Sequence, residues 1–106
     1  MELQDKVYSI TELKEKIANI VKNLPVYCVI LFGSYAKGLA EPNSDVDLVI
    51  DSKGQLKGFD YYALLEDLVQ ALNKEVDLIS TDQIITNSKI DYIIKNEGII
   101  IYERKN

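Results

Sequence analysis

Apolar positions along the chain recur with two periods, and the switches between them mark out the elements. Leu13, Ile17, Ile20, Val21 and Leu24 fall on one helical face. Ser9-Ile10-Thr11-Glu12 just before them has capping-box spacing, so a helix is expected from Ser9 until Pro25 closes it. Residues 26–32, "VYCVILF", form a β-branched and aromatic run of the kind that fills a strand buried on both faces, and Gly33 breaks it. Ser34 to Lys37 predict a helical turn ending at Gly38, followed by the polar connection "LAEPNS". Residues 45–51, "DVDLVID", alternate as a strand, with Val46, Leu48 and Ile50 on one face and Asp45, Asp47, Val49 and Asp51 on the other. After the loop "SKGQLKG", apolar positions 62, 65, 68, 69 and 72 predict a helix over 59–73, with Tyr61 and Tyr62 packing at its start. Residues 75–80, "EVDLIS", repeat the alternation, placing Val76 and Leu78 opposite Glu75, Asp77 and Ile79. Thr81 or Asp82 is expected to cap a further helical stretch through Lys95, with a break near Asn87-Ser88 and an end at Gly98 before a last strand, "IIIYE".

This order of helices and strands predicts an α+β fold, a mixed sheet of about four strands with helices packed against it, in a single domain over 1–106. Strand order stays open at this level. No apolar run is long enough to cross a bilayer and no signal-peptide layout precedes the first helix, so a cytoplasmic protein with no membrane contact is expected.

Composition narrows the chemistry by what it lacks. The chain has no histidine, which removes Ser-His-Asp and Cys-His nucleophiles and every imidazole-ligated metal. Its single cysteine, Cys28, has no partner for a disulfide or thiolate cluster and reads as a small buried strand residue. A net charge of -5 argues against affinity built on neutralising phosphates, so no direct nucleic-acid binding is expected. Catalysis, if there is any, must run on carboxylates, hydroxyls, lysines or oxygen-bound metals.

Asp45 and Asp47 project from one face of the second predicted strand, roughly 7 Å apart at about 3.3 Å per residue. At an effective dielectric near 20 their repulsion is on the order of 2 kcal/mol, which folding alone does not reward. Asp77 has the same alternation phase on another strand, and if the two strands are neighbours the three carboxylates converge. Three hard anionic oxygens without histidine suit Mg2+ or Mn2+, which keep waters and share substrate phosphates. Gly33-Ser34 fits the same picture: a glycine lets phosphate approach the backbone, and the serine hydroxyl adds a donor. Lys37, one turn on, offers a positive charge. Tyr35 stands near enough to line a nucleotide pocket, with a core or partner contact as the other reading.

In order and spacing, "FGS", ten residues, "DVDL" and a later "VDL" resemble the signature of the DNA polymerase beta-like nucleotidyltransferase superfamily. "FGSYAKG", "SDVDLVI" and the ending "IIKNEGIIIYE" look like the minimal nucleotidyltransferase (MNT) proteins, over nearly the whole chain. The resemblance implies the nucleotidyltransferase fold, with Gly33 and Ser34 holding a nucleoside triphosphate and Asp45 and Asp47 binding two Mg2+ ions. Asp77 would bind the second ion and help to deprotonate the incoming hydroxyl. Lys37 stands where the family very often has arginine; it keeps the charge and loses the bidentate fork. The implied reaction is attack of a hydroxyl on the α-phosphorus of ATP, with pyrophosphate leaving.

So few residues follow the third strand that the acceptor is expected on another protein. MNT proteins are typically antitoxins of HEPN-family ribonuclease toxins, and some transfer AMP from ATP to a toxin tyrosine. The expected partner and substrate is therefore a HEPN toxin in a hetero-oligomer, with homo-oligomers open. A non-catalytic antitoxin acting by contact, and transfer to a small molecule, are the alternative readings.

Overall fold

The computed structural model describes residues 6–105. Helix α1 (Ile10–Val21) begins at Ser9, whose side chain accepts from the Glu12 amide while Glu12 reaches back to the Ser9 amide. This capping box satisfies two amides that the helix leaves without partners. Leu13, Ile17 and Val21 are fully buried, and the helix stops at Val21, ahead of Pro25. The remaining elements are β1 (Cys28–Phe32), α2 (Gly33–Lys37), β2 (Val46–Asp51), α3 (Phe59–Leu72), β3 (Val76–Ser80), a 3-10 turn at Thr81–Gln83, α4 (Lys89–Glu97) and β4 (Ile99–Glu103).

The four strands form one mixed sheet in the order β3-β2-β1-β4. Strand β1 is antiparallel to both β2 and β4, and β2 runs parallel to β3 after the α3 crossover. The expected α+β class and four-stranded mixed sheet are both present. One sheet face carries the larger core, in which Val46, Leu48, Ile50 and Leu78 meet Leu13, Ile17, Leu64 and Leu68 of α1 and α3. The other face holds a smaller cluster of Phe32, Val49 and Ile94, with Ile30 and Ile79 against it, under α2 and α4. Among the described residues no helix is long and apolar enough to cross a membrane.

Four details depart from the pattern. The buried stripe of α3 is Leu64, Leu68 and Leu72 rather than one including Tyr62; Tyr62 is 67% exposed, while Tyr61 is half-buried with its hydroxyl donating to the Leu78 carbonyl. The stretch after β3 is not one long helix. Asn87 takes a left-handed φ of 65° and Ser88 caps α4 by accepting from the Asp91 amide at 3.2 Å, so the break at Asn87-Ser88 is complete. Cys28 is half-buried, because it lies across from Asp51 and Glu103 near the strand end; burial, and then those carboxylates, push its thiol pKa up. Finally, the first strand starts at Cys28 rather than at residue 26, although Tyr27 still bonds to Asp51 and Arg104 through its backbone.

Gly98 fixes how α4 meets the sheet. A Cβ there would stand 2.4 Å from the Ile94 carbonyl oxygen and 2.7 Å from the Ile30 side chain. Its φ of -68° is ordinary, so the requirement is one of space. Gly98→Ala is expected to destabilise the fold by about 1–3 kcal/mol, the usual cost of overpacking, as a lower urea midpoint with unchanged slope. An unchanged midpoint would show that α4 is not held this closely.

Candidate active site

The candidate site lies where β1 ends and β2 and β3 begin. Phe32, the last residue of β1, is the antiparallel partner of Asp47, and Asp47 is the parallel partner of Asp77. Asp47 and Asp77 therefore sit abreast on neighbouring strands, about 5 Å apart at the backbone. Alternation puts both on the same face as Val49 and Ile79, away from the larger core. Asp45 stands one residue before β2 and is exposed, as is Asp77, whereas Asp47 is half-buried.

Burial first, and then the charges of Asp77 and Asp45, together raise the pKa of Asp47 to about 6. Those are the marks of a carboxylate held among carboxylates. Tyr61 registers Asp77 as well: burial first, then Tyr62, Asp77 and Asp82, raises its phenol. Asp45, Asp47 and Asp77 thus form a set of hard oxygen donors suited to a divalent cation of the Mg2+ type. Among the described residues no three metal-ligating side chains are already closed into a cluster. The strand register aligns Asp47 with Asp77 and leaves Asp45 just outside it, so side-chain rotation would be needed for all three to reach one ion.

Gly33 opens α2 with a φ of +73°, and a Cβ on it would lie 2.1 Å from Asp47 Oδ2. The glycine is therefore needed twice, for a left-handed backbone and for the room that the Asp47 carboxylate occupies. Its role toward Asp47 escapes the sequence pattern, because it follows only from the β1–β2 register. Ser34 follows at the second position of the helical turn, half-buried beside it. Lys37, at the other end of α2, faces Glu97 of α4 at 3.6 Å, both side chains largely exposed. Such a pair between exposed side chains is weak and does not commit Lys37 strongly to α4. Tyr35 belongs to the core, at 4% exposure, which answers the choice left open for it.

A short Gly-Ser turn beside Asp47, with Asp77 abreast of it and Asp45 just before β2, is an arrangement chemically suited to a phosphate and a cation. The chain belongs to the Polymerase beta nucleotidyltransferase family, whose model matches residues 15–106. It is 35% identical over 95 residues to MJ1379 of Methanocaldococcus jannaschii, covering 87% of this chain and 94% of that one, which is provisionally named a protein adenylyltransferase. The protein adenylyltransferase MntA of Shewanella oneidensis is 32% identical over 68 residues, 62% of this chain, so that the match spans only 49% of MntA. Among solved structures, a chain of a toxin-antitoxin crystal structure with AMP-PNP superposes with a TM-score of 0.74 at 23% identity, covering 87% of this chain and 74% of that one. A chain from the tri-AMPylated HEPN toxin in complex with MNT antitoxin, also from Shewanella oneidensis, gives 0.69 at 20% identity, covering 90% and 73%. At these identities the structural likeness speaks for the fold.

Two outcomes follow from the geometry. Because the folded pKa of Asp47, about 6, lies above the unfolded value near 3.9, the folded state keeps a proton that the unfolded state loses first. In metal-free buffer, stability should fall as pH rises from about 4 through 6, by about 1–2 kcal/mol once solvent screening of this half-exposed group is allowed for. Asp47→Asn should flatten that slope in thermal unfolding; a slope unchanged in the variant would assign it to other groups. Separately, Gly33→Ala should cost about 2 kcal/mol or more in the native background and measurably less beside Asp47→Ala, leaving only the backbone term. Equal costs in both backgrounds would rule out the contact with Asp47.

Proposed function

We propose that the chain is a Mg2+-dependent adenylyltransferase that moves AMP from ATP to a hydroxyl of a partner protein, the partner being a HEPN-family toxin that it restrains as an antitoxin. The observation that carries this reading is the register pairing of Asp47 with Asp77, with Asp45 two residues before Asp47 and the Asp47 carboxylate against Gly33. Membership of the nucleotidyltransferase family supports the reaction type, and the adenylyltransferase relatives and the toxin-antitoxin structures support the acceptor class.

In this reading the backbone amides of Gly33 and Ser34, with the Ser34 hydroxyl, bind and orient the triphosphate. Asp45, Asp47 and Asp77 hold the cation, two ions at full occupancy. Mg2+, when bound, supplies neutralisation of the triphosphate and of the leaving pyrophosphate. Asp77, the exposed member of the register pair, accepts the proton of the attacking hydroxyl. The half-buried position of Asp47 keeps water from one side of its carboxylate, which strengthens its hold on a cation. No histidine is needed at any step, since the work is positioning and electrostatics.

The test is transfer of label from α-labelled ATP to a purified HEPN-family partner in the presence of Mg2+. Wild type should label the partner, and Asp47→Asn and Asp77→Asn should each lower the rate by at least ~100-fold, the scale of losing one electrostatic contact to the transition state. Chelation should abolish the label. Full neutralisation of the toxin by Asp47→Asn, with no label from wild type, would sink the enzyme in favour of an antitoxin acting by contact.

A further inference from the structure

Lys74 is 1% exposed, the bulkiest fully buried side chain among the described residues. A buried ammonium is costly unless its hydrogens are taken up, and here it donates to the Pro42 carbonyl. Pro42 lies in the connection from α2 to β2, three positions before Asp45, and Lys74 lies three positions before Asp77. A single side chain thus ties the approach to β2 to the approach to β3. The connection around Pro42 is otherwise held by a local turn, the Ser44 amide donating to the Glu41 carbonyl and the Glu41 amide to Ser44 Oγ. The first cross-link to β3 beyond it is the Val46 amide on the Glu75 carbonyl at 3.0 Å. The base from which Lys74 reaches is itself fixed: Leu72 and Asn73 end α3, and the buried Tyr8 hydroxyl donates to the Leu72 carbonyl at 2.6 Å.

We propose that Lys74 is a positioning residue for the site: by clamping the Pro42 carbonyl it sets the height of Asp45 against the Asp47–Asp77 pair. Asp45 is the one member of the trio outside the sheet ladder. Backbone pairing places Asp47 and Asp77, so their geometry survives without Lys74. Asp45 depends on the connection, and the connection depends on its anchor. The inference rests on the reading of the three aspartates as cation ligands.

The experiment compares wild type with Lys74→Met and Lys74→Arg in two measurements. Amide hydrogen exchange should accelerate at least ~10-fold at Ser44 and Val46 in Lys74→Met, with Ile17 in α1 unchanged, because the opening is local. Mn2+ affinity, read by electron paramagnetic resonance on the full chain, should weaken by ~10-fold or more in Lys74→Met, as is usual when support behind a ligand is removed, and Lys74→Arg should restore most of it. Should Lys74→Met fail to fold, Lys74→Gln, with a donor on a shorter stem, carries the same comparison. A folded Lys74→Met with wild-type exchange at Ser44 and Val46 and wild-type Mn2+ affinity overturns the proposal. A wild type that takes up no Mn2+ overturns the cation reading instead, and the exchange measurement then decides the anchoring by itself.

Discussion

Two aspartates abreast on parallel strands are the constraint around which this fold is arranged. At about 5 Å and an effective dielectric near 20, their repulsion is on the order of 3 kcal/mol. What holds them there is on the opposite face of the same strands. Val46, Leu48, Ile50 and Leu78 are buried in the larger core, and each such side chain contributes roughly 1.5–3 kcal/mol. A slip of one residue would turn those four out of the larger core and the aspartates into it, so the register cannot relax to relieve the charges. The apolar half of the sheet enforces the strain on its polar half.

The alternation in "DVDLVID" and "EVDLIS" made the faces of β2 and β3 legible, because a strand's period of two leaves no freedom of phase. Capping signals were equally direct at Ser9, where a side chain and a backbone amide three residues away decide the start between them. Helix α3 was less legible. Its apolar residues cover more than one stripe, and which stripe turns inward is settled by packing against α1 and β3, which leaves Tyr62 and Phe59 outside. The order β3-β2-β1-β4 could not be read at all, since strand neighbours are chosen by contacts far apart in sequence.

The site divides along the same line. The aspartates and the Gly-Ser pair stand out because their residue types and spacing are unusual for a strand and a turn. Lys74 does not, because a lysine in "LNKEV" reads as a solvated loop charge until the fold closes over it. Tyr35 lies next to the Gly-Ser pair in sequence yet belongs to the core, so direction along a short helix decided between the two readings that proximity along the chain left open.

Gly33 joins the two halves of the site into one packing unit. A phosphate-binding turn and a carboxylate pair are usually argued as separate features, each tolerable alone. Here the absent side chain at Gly33 is the space taken by Asp47 Oδ2, and the left-handed backbone at the same residue starts α2 with its amides at that end of the sheet. Moving the turn would crowd the aspartate, and moving the aspartate would leave a gap beneath the turn. The ten residues between Ser34 and Asp45 then have a physical reading: α2 and one polar connection are enough to bring β2 back antiparallel to β1, with Asp47 opposite the residue that precedes the glycine. The spacing of the motif is the length of chain needed to fold the strand back onto its own turn.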